Sequence, residues 1–106
     1  MTETPLTFDR DRLPPGGFIP MLSVKQPSRV RIRVQYLGVV FPDDTLDVFV
    51  GIGQRGSERD VLHFTETGER TIPETVLAGD WISVRYSPLP HGASFTIWPS
   101  DVETVP

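Results

Sequence analysis

Cysteine is absent from this 106-residue chain, which removes disulfides, Cys-based metal sites and thiol nucleophiles. Histidine is scarce. His63 and His91 stand far apart, too few for a His-rich metal centre. Lysine occurs once, at Lys25, so nearly all of the positive charge is Arg. That bias suits bidentate contacts to anions as well as a GC-rich coding sequence. The net charge is −4, which argues against a basic nucleic-acid binder and predicts no direct nucleic-acid partner. No run of about 18 apolar residues occurs, so no membrane partner is expected. Met1 to Arg12 alternates acids with bases and lacks an apolar stretch, so no signal peptide is expected there. The expected location is a virion or a cytoplasmic assembly. Helical periodicity is missing too. The one candidate for a helical turn is Glu74 to Leu77.

What the chain does have is turn-formers and strand patterns. Eleven Pro and nine Gly exceed what a short helical protein absorbs. A hydrophobic fraction of 38%, with six Phe, two Tyr and two Trp, suffices for one core. The length suits one domain. Residues 1–28 read as an extended Pro-rich arm. Pro5, Pro14, Pro15, Pro20 and Pro27 forbid a regular helix, and each extends the residue before it. Residues 29–106 read as a β-sandwich domain. Val30, Ile32, Val34 and Tyr36 alternate with Arg29, Arg31, Arg33 and Gln35, the period-two mark of a half-buried strand. Leu46, Val48, Val50 and Ile52 alternate with Asp47, Phe49 and Gly51. Further strands are expected over Asp60 to Glu66, Arg70 to Ile72, Trp81 to Ser87 and Ala93 to Trp98. Shorter ones are expected at Met21 to Lys25 and Val102 to Val105. Short strands at about ten-residue spacing predict an all-β fold: an antiparallel β-sandwich, jelly-roll-like or immunoglobulin-like, with an extended N-terminal arm. The expected core is Val30, Ile32, Val34, Leu46, Val48, Val50, Ile82, Val84, Tyr86, Phe95 and Ile97.

Several constellations invite a chemical reading. Gly51-Ile52-Gly53-Gln54-Arg55-Gly56 spells a dinucleotide fingerprint, but a strand rather than a helix follows, so it reads as a glycine-rich hairpin end. Asp43, Asp44 and Asp47 cluster without a calcium-loop pattern and read as a turn. No nucleophile elbow accompanies either His, and no catalytic residue, metal site or cofactor is expected. Arg29, Arg31 and Arg33 share one strand face, roughly 7 Å apart, as an anion-facing stripe or a solvated face with cross-strand carboxylates. Pairing Val34 with Leu46 in a hairpin would put Arg33 opposite Asp47. If Trp81 to Ser87 and Ala93 to Trp98 form a hairpin, Trp81 and Trp98 lie diagonally on one outer face. Such a pair is a sugar-stacking platform or an anchor in a protein interface.

Three functional classes follow. An enzyme is the weakest, for want of a cleft or paired catalytic groups. A carbohydrate-binding module, with a polysaccharide stacked on Trp81 and Trp98, is the alternative. A non-enzymatic structural protein is preferred, a small virion component such as a phage head decoration or minor tail protein. It would pack against copies of itself or a larger lattice. The partner-binding residues on that reading are Leu6, Phe8, Leu13 and Phe18 of the arm, the Arg29, Arg31 and Arg33 stripe, and Trp81 and Trp98.

Overall fold

A computed structural model describes residues 6–9, 17–37, 47–87 and 93–105, and within 6–9 it describes the side chain of Thr7 alone. Eight strands form: β1 (Leu6–Asp9), β2 (Ile19–Ser23), β3 (Ser28–Leu37), β4 (Val48–Gly53), β5 (Arg59–Phe64), β6 (Gly68–Thr71), β7 (Trp81–Tyr86) and β8 (Ser94–Thr104). They build two four-stranded antiparallel sheets, ordered β1-β8-β3-β6 and β2-β7-β4-β5. The fold is the β-sandwich that the alternation predicts. Its wiring is nested: β1 pairs with β8, β2 with β7, β3 with β6 and β4 with β5. One long paired ribbon is thus wrapped over itself, which is jelly-roll rather than immunoglobulin connectivity.

Nesting explains two corrections. Strands β3 and β4 follow each other in sequence but lie in opposite sheets, so Arg33 does not face Asp47. It faces Glu69 on β6 and Trp98 on β8. Strands β7 and β8 also lie in opposite sheets, so the expected hairpin between them does not form.

The core lies between the sheets. Val30, Ile32, Val34, Val48, Val50, Ile82, Val84, Tyr86, Phe95 and Ile97 are all buried there, as expected, joined by Val24, Ile52, Phe64, Ile72 and Val76. Leu46, also expected in the core, lies outside the described residues, as do Asp43, Asp44 and His91. Val and Ile dominate because β-branched side chains fit a pleated surface packed from both sides. Two aromatic contacts complete the packing: Phe95 meets Tyr86 edge-on at 5.1 Å and Tyr36 at 6.4 Å. The Tyr36 hydroxyl donates to the Phe64 carbonyl at 3.1 Å, tying β3 of one sheet to β5 of the other.

Three boundaries differ from the sequence reading. Glu74 to Leu77 is not a helical turn. Val76 is fully buried and bridges Ser28 with two backbone hydrogen bonds, at 2.8 and 2.9 Å. Strand β8 runs unbroken from Ser94 to Thr104 where two strands were expected. Pro99 is tolerated inside it because the β3–β8 register shifts there, and because β1 accompanies β8 only as far as Ile97. Finally, the arm supplies two strands, β1 to one sheet and β2 to the other.

Candidate functional site

Each sheet turns one face outward, and the two faces differ in chemistry. On the β1-β8-β3-β6 sheet, Arg29, Arg31 and Arg33 are exposed in a row, as the alternation requires. Carboxylates flank them. Arg29 lies opposite Glu103, Arg31 opposite Asp101 and Arg33 opposite Glu69, and Arg31 pairs with Glu69 at 3.5 Å. A shallow pocket between Arg29, Arg31, Thr71, Asp101 and Glu103 is lined by both signs of charge. Trp98 projects from β8 on this face, with the Arg33 guanidinium 4.9 Å from its ring centroid. The stripe is thus answered across its own sheet, an arrangement worth little net free energy at a surface.

The β2-β7-β4-β5 sheet presents aromatics instead. Register aligns His63 of β5, Phe49 of β4 and Arg85 of β7 in one row across the strands, and Phe18 stands just before β2 at the row's end. His63 and Phe49 stack nearly parallel, with centroids 4.3 Å apart and planes 8° apart. The Arg85 guanidinium lies 4.0 Å from the Phe49 centroid and 5.6 Å from that of Phe18. Along the row the stacked His63 and Phe49 rings are followed by the Arg85 guanidinium, which lies between the Phe49 and Phe18 rings and is attracted to their π-faces.

Two carboxylates hold members of the row. Asp60 accepts two hydrogen bonds from Arg85, at 3.1 and 2.5 Å, which holds the guanidinium fully protonated and raises its pKa. Asp47 meets His63 Nε2 at 2.7 Å. The next row holds Gly51 and the buried Ser83, and the Phe18 ring covers Gly51. Trp81 follows on the same face, with the Arg55 guanidinium 5.6 Å from its centroid. Arg55 is carried by the turn from Gln54 to Ser57, closed by a 2.9 Å backbone bond, where Gly56 takes φ +86°. The glycine-rich stretch Gly51 to Gly56 is thus the β4–β5 hairpin end. Glu58 braces this turn by accepting the Gly56 N–H at 2.7 Å.

The residues picked out from sequence are therefore divided. Phe18 and Trp81 lie on the aromatic face. Arg29, Arg31, Arg33 and Trp98 lie on the opposite one. The shared platform expected of Trp81 and Trp98 does not exist, because β7 and β8 belong to different sheets and their outer faces point apart. Phe18, expected to reach another subunit, packs on Gly51 and Arg85 of its own chain. Leu13 lies outside the described residues, and Leu6 and Phe8 have backbone pairing to β8 but no described side chain. Sequence reasoning missed Phe49, His63 and Arg85 as a group. Their signal was present, since Phe49 and His63 are ring-bearing side chains at outward positions of alternating strands. What it lacked was the pairing that brings them together.

Among the described residues, no three His, Asp or Glu side chains converge as a metal ion would need, and no helix is long and apolar enough to cross a membrane. Comparison with protein-family models, with curated proteins and with solved structures finds no match to this chain.

Proposed function

We propose that this chain is a non-enzymatic assembly protein that packs against copies of itself, or a larger lattice of them, through the outer face of the β2-β7-β4-β5 sheet. The observation that carries the proposal is the half-exposed aromatic and guanidinium surface formed by Phe18, Phe49 and Arg85 in one row, with Trp81 beyond it on the same face. Aromatics and Arg are the residues that anchor protein interfaces. The row is held in place by Asp60 and by stacking, so little side-chain freedom remains to be lost on docking.

The sheet edges favour a face over an edge. Strands β1 and β6 are four residues long, β6 carries Glu69 and Arg70, β2 contains Pro20, and both β2 and β5 carry register shifts. Such features discourage strand-to-strand growth. A virion setting, as a phage head decoration or minor tail component, is supported by design analogy: capsid domains use jelly-roll wiring. Lectin domains use it too, but the Trp81 and Trp98 platform that a sugar reading needs has no geometric basis here.

The test is association of the wild-type chain against a Phe49→Ala, Arg85→Ala double variant, followed by light scattering. The double variant is expected to lose ~2 kcal/mol or more of association energy, the size of an interface hot spot. Trp98→Ala, on the other face, is expected to leave association intact. Equal association of all three proteins would refute the assignment of this face.

A further inference from the structure

We infer that acid strengthens association through the aromatic face, and that His63 is the group that takes up the proton. This rests on the assembly reading above and names the regulation of that same face. Histidine is the side chain whose ordinary titration falls between about pH 5 and 8. His63 is the one histidine among the described residues. Its ring is built into the row. It stacks on Phe49 with centroids 4.3 Å apart, and the Arg85 guanidinium lies 4.0 Å from the same Phe49 centroid. Register sets the three side by side, from β5 through β4 to β7. A surface that covers Phe49 therefore comes down on His63 as well.

The charges around His63 decide the direction of the effect. Asp47, just before β4, meets Nε2 at 2.7 Å. A carboxylate only accepts, so Nε2 carries a proton in both states of the ring, and acid adds the second proton at Nδ1. Asp47 is itself held in place. Its N–H donates to Ser87 Oγ at 3.1 Å, and its carbonyl accepts the Ser87 N–H at 3.0 Å. On β7, Arg85 is already paired with Asp60 of β5. From β6, Arg70 donates to the His63 carbonyl oxygen at 3.2 Å, at the backbone and not at the ring. Tyr36 of β3, which feels the Asp47 charge, ionises only near 12 and stays neutral here. The Asp47–His63 pair thus carries one negative charge while His63 is neutral, and none once it is protonated.

In the free chain this difference matters little. The His63 and Asp47 side chains are 46% and 29% exposed, and water screens such a pair. Docking removes that water. A net charge is costly to bury, whereas a close, hydrogen-bonded pair of opposite charges offsets much of its own desolvation. The docked state therefore holds the second proton more readily than the free chain does. By linkage, association tightens as the pH falls through the histidine range.

The test is the dissociation constant of the full-length chain, by sedimentation equilibrium, at about pH 8 and about pH 6, both above the ordinary carboxylate range. The wild type is expected to tighten by about fivefold or more on going to the lower pH, the low end of ordinary coupling between sites. His63→Gln is expected to remove most of that tightening, and His91→Gln to keep it. Asp47→Asn gives a second, independent reading. It leaves a protonated His63 without its counter-charge, so this variant is expected to associate more weakly at the lower pH. Wild-type association that is equal at the two pH values overturns the inference while leaving the assembly reading intact. A tightening that survives His63→Gln, or that is unchanged in Asp47→Asn, does the same. A wild-type chain that stays monomeric at both pH values defeats the assembly reading as well.

Discussion

At Gly51 the outer face of the β2-β7-β4-β5 sheet has no side chain of its own, and the Phe18 ring fills the space. A Cβ at position 51 would lie 2.6 Å from Phe18 Cε1 and 3.1 Å from the Arg59 carbonyl oxygen. Gly51→Ala is expected to destabilise the chain by about 1–3 kcal/mol, as overpacking does. In a Phe18→Ala background the same change is expected to cost less, because the ring that it strikes is gone. A double-mutant cycle from denaturant unfolding measures the difference, and strictly additive effects would mean that Phe18 does not lie on Gly51. Tyr36 makes a second residue-scale statement. Burial, helped by the negative charge of Asp47, pushes its hydroxyl from 10.0 up to about 12. The fold therefore favours the protonated phenol. Its contribution to stability is full below pH 10 and is lost as the pH rises through about 12. A phenolate absorbance titration is expected to show a transition near 12 that disappears in Tyr36→Phe. Ionisation at the ordinary tyrosine value would contradict the burial of the Tyr36 hydroxyl.

Among the elements, β2 decides how the arm is to be understood. Ile19, Met21 and Leu22 pack against the core, and β2 forms the edge beside β7. Removing residues 1–28 strips away this strand and Phe18. The truncated chain is expected to lose about 3 kcal/mol or more of stability, since each large apolar side chain buried contributes about 1.5–3 kcal/mol. Chemical denaturation checks this, and an unchanged midpoint would make the arm dispensable. That β2 pairs with β7 was not legible in the sequence, for a physical reason. The alternation in Arg29 to Tyr36 fixes which side of β3 faces inward, because side-chain direction is a local property of a strand. The same holds for β4 and β7, where Val48, Val50, Ile82, Val84 and Tyr86 were expected in the core and are buried, while Ile52 of β4 joins them without having been named. Strand partners are not local. Nothing in Val34 or Val48 says that their strands sit in opposite sheets, so hairpins were expected where the ribbon instead crosses the sandwich. Strand β1 has four residues and no alternation long enough to register, and Pro99 hid the continuity of β8. For the site, outward positions such as Arg31, Phe49 and Trp81 were legible one at a time. Which of them share a face was not.

The whole molecule is a sandwich with two unlike outer faces. One carries Arg29, Arg31 and Arg33 among Glu69, Asp101 and Glu103, a self-answered set of charges. The other carries Phe18, Phe49, Arg85 and Trp81, with the Arg85–Asp60 ion pair and the His63–Asp47 hydrogen bond both made within the chain. Association through the second face draws on aromatic burial more than on free charge. It is therefore expected to persist when salt is raised, because screening acts chiefly on exposed charges. The most direct test of this account is the mass of the native wild-type chain by sedimentation equilibrium over a range of concentrations. The account predicts a mass above the 11.9 kDa of one chain, rising with concentration and little changed by salt. A mass fixed at 11.9 kDa at every concentration would contradict it.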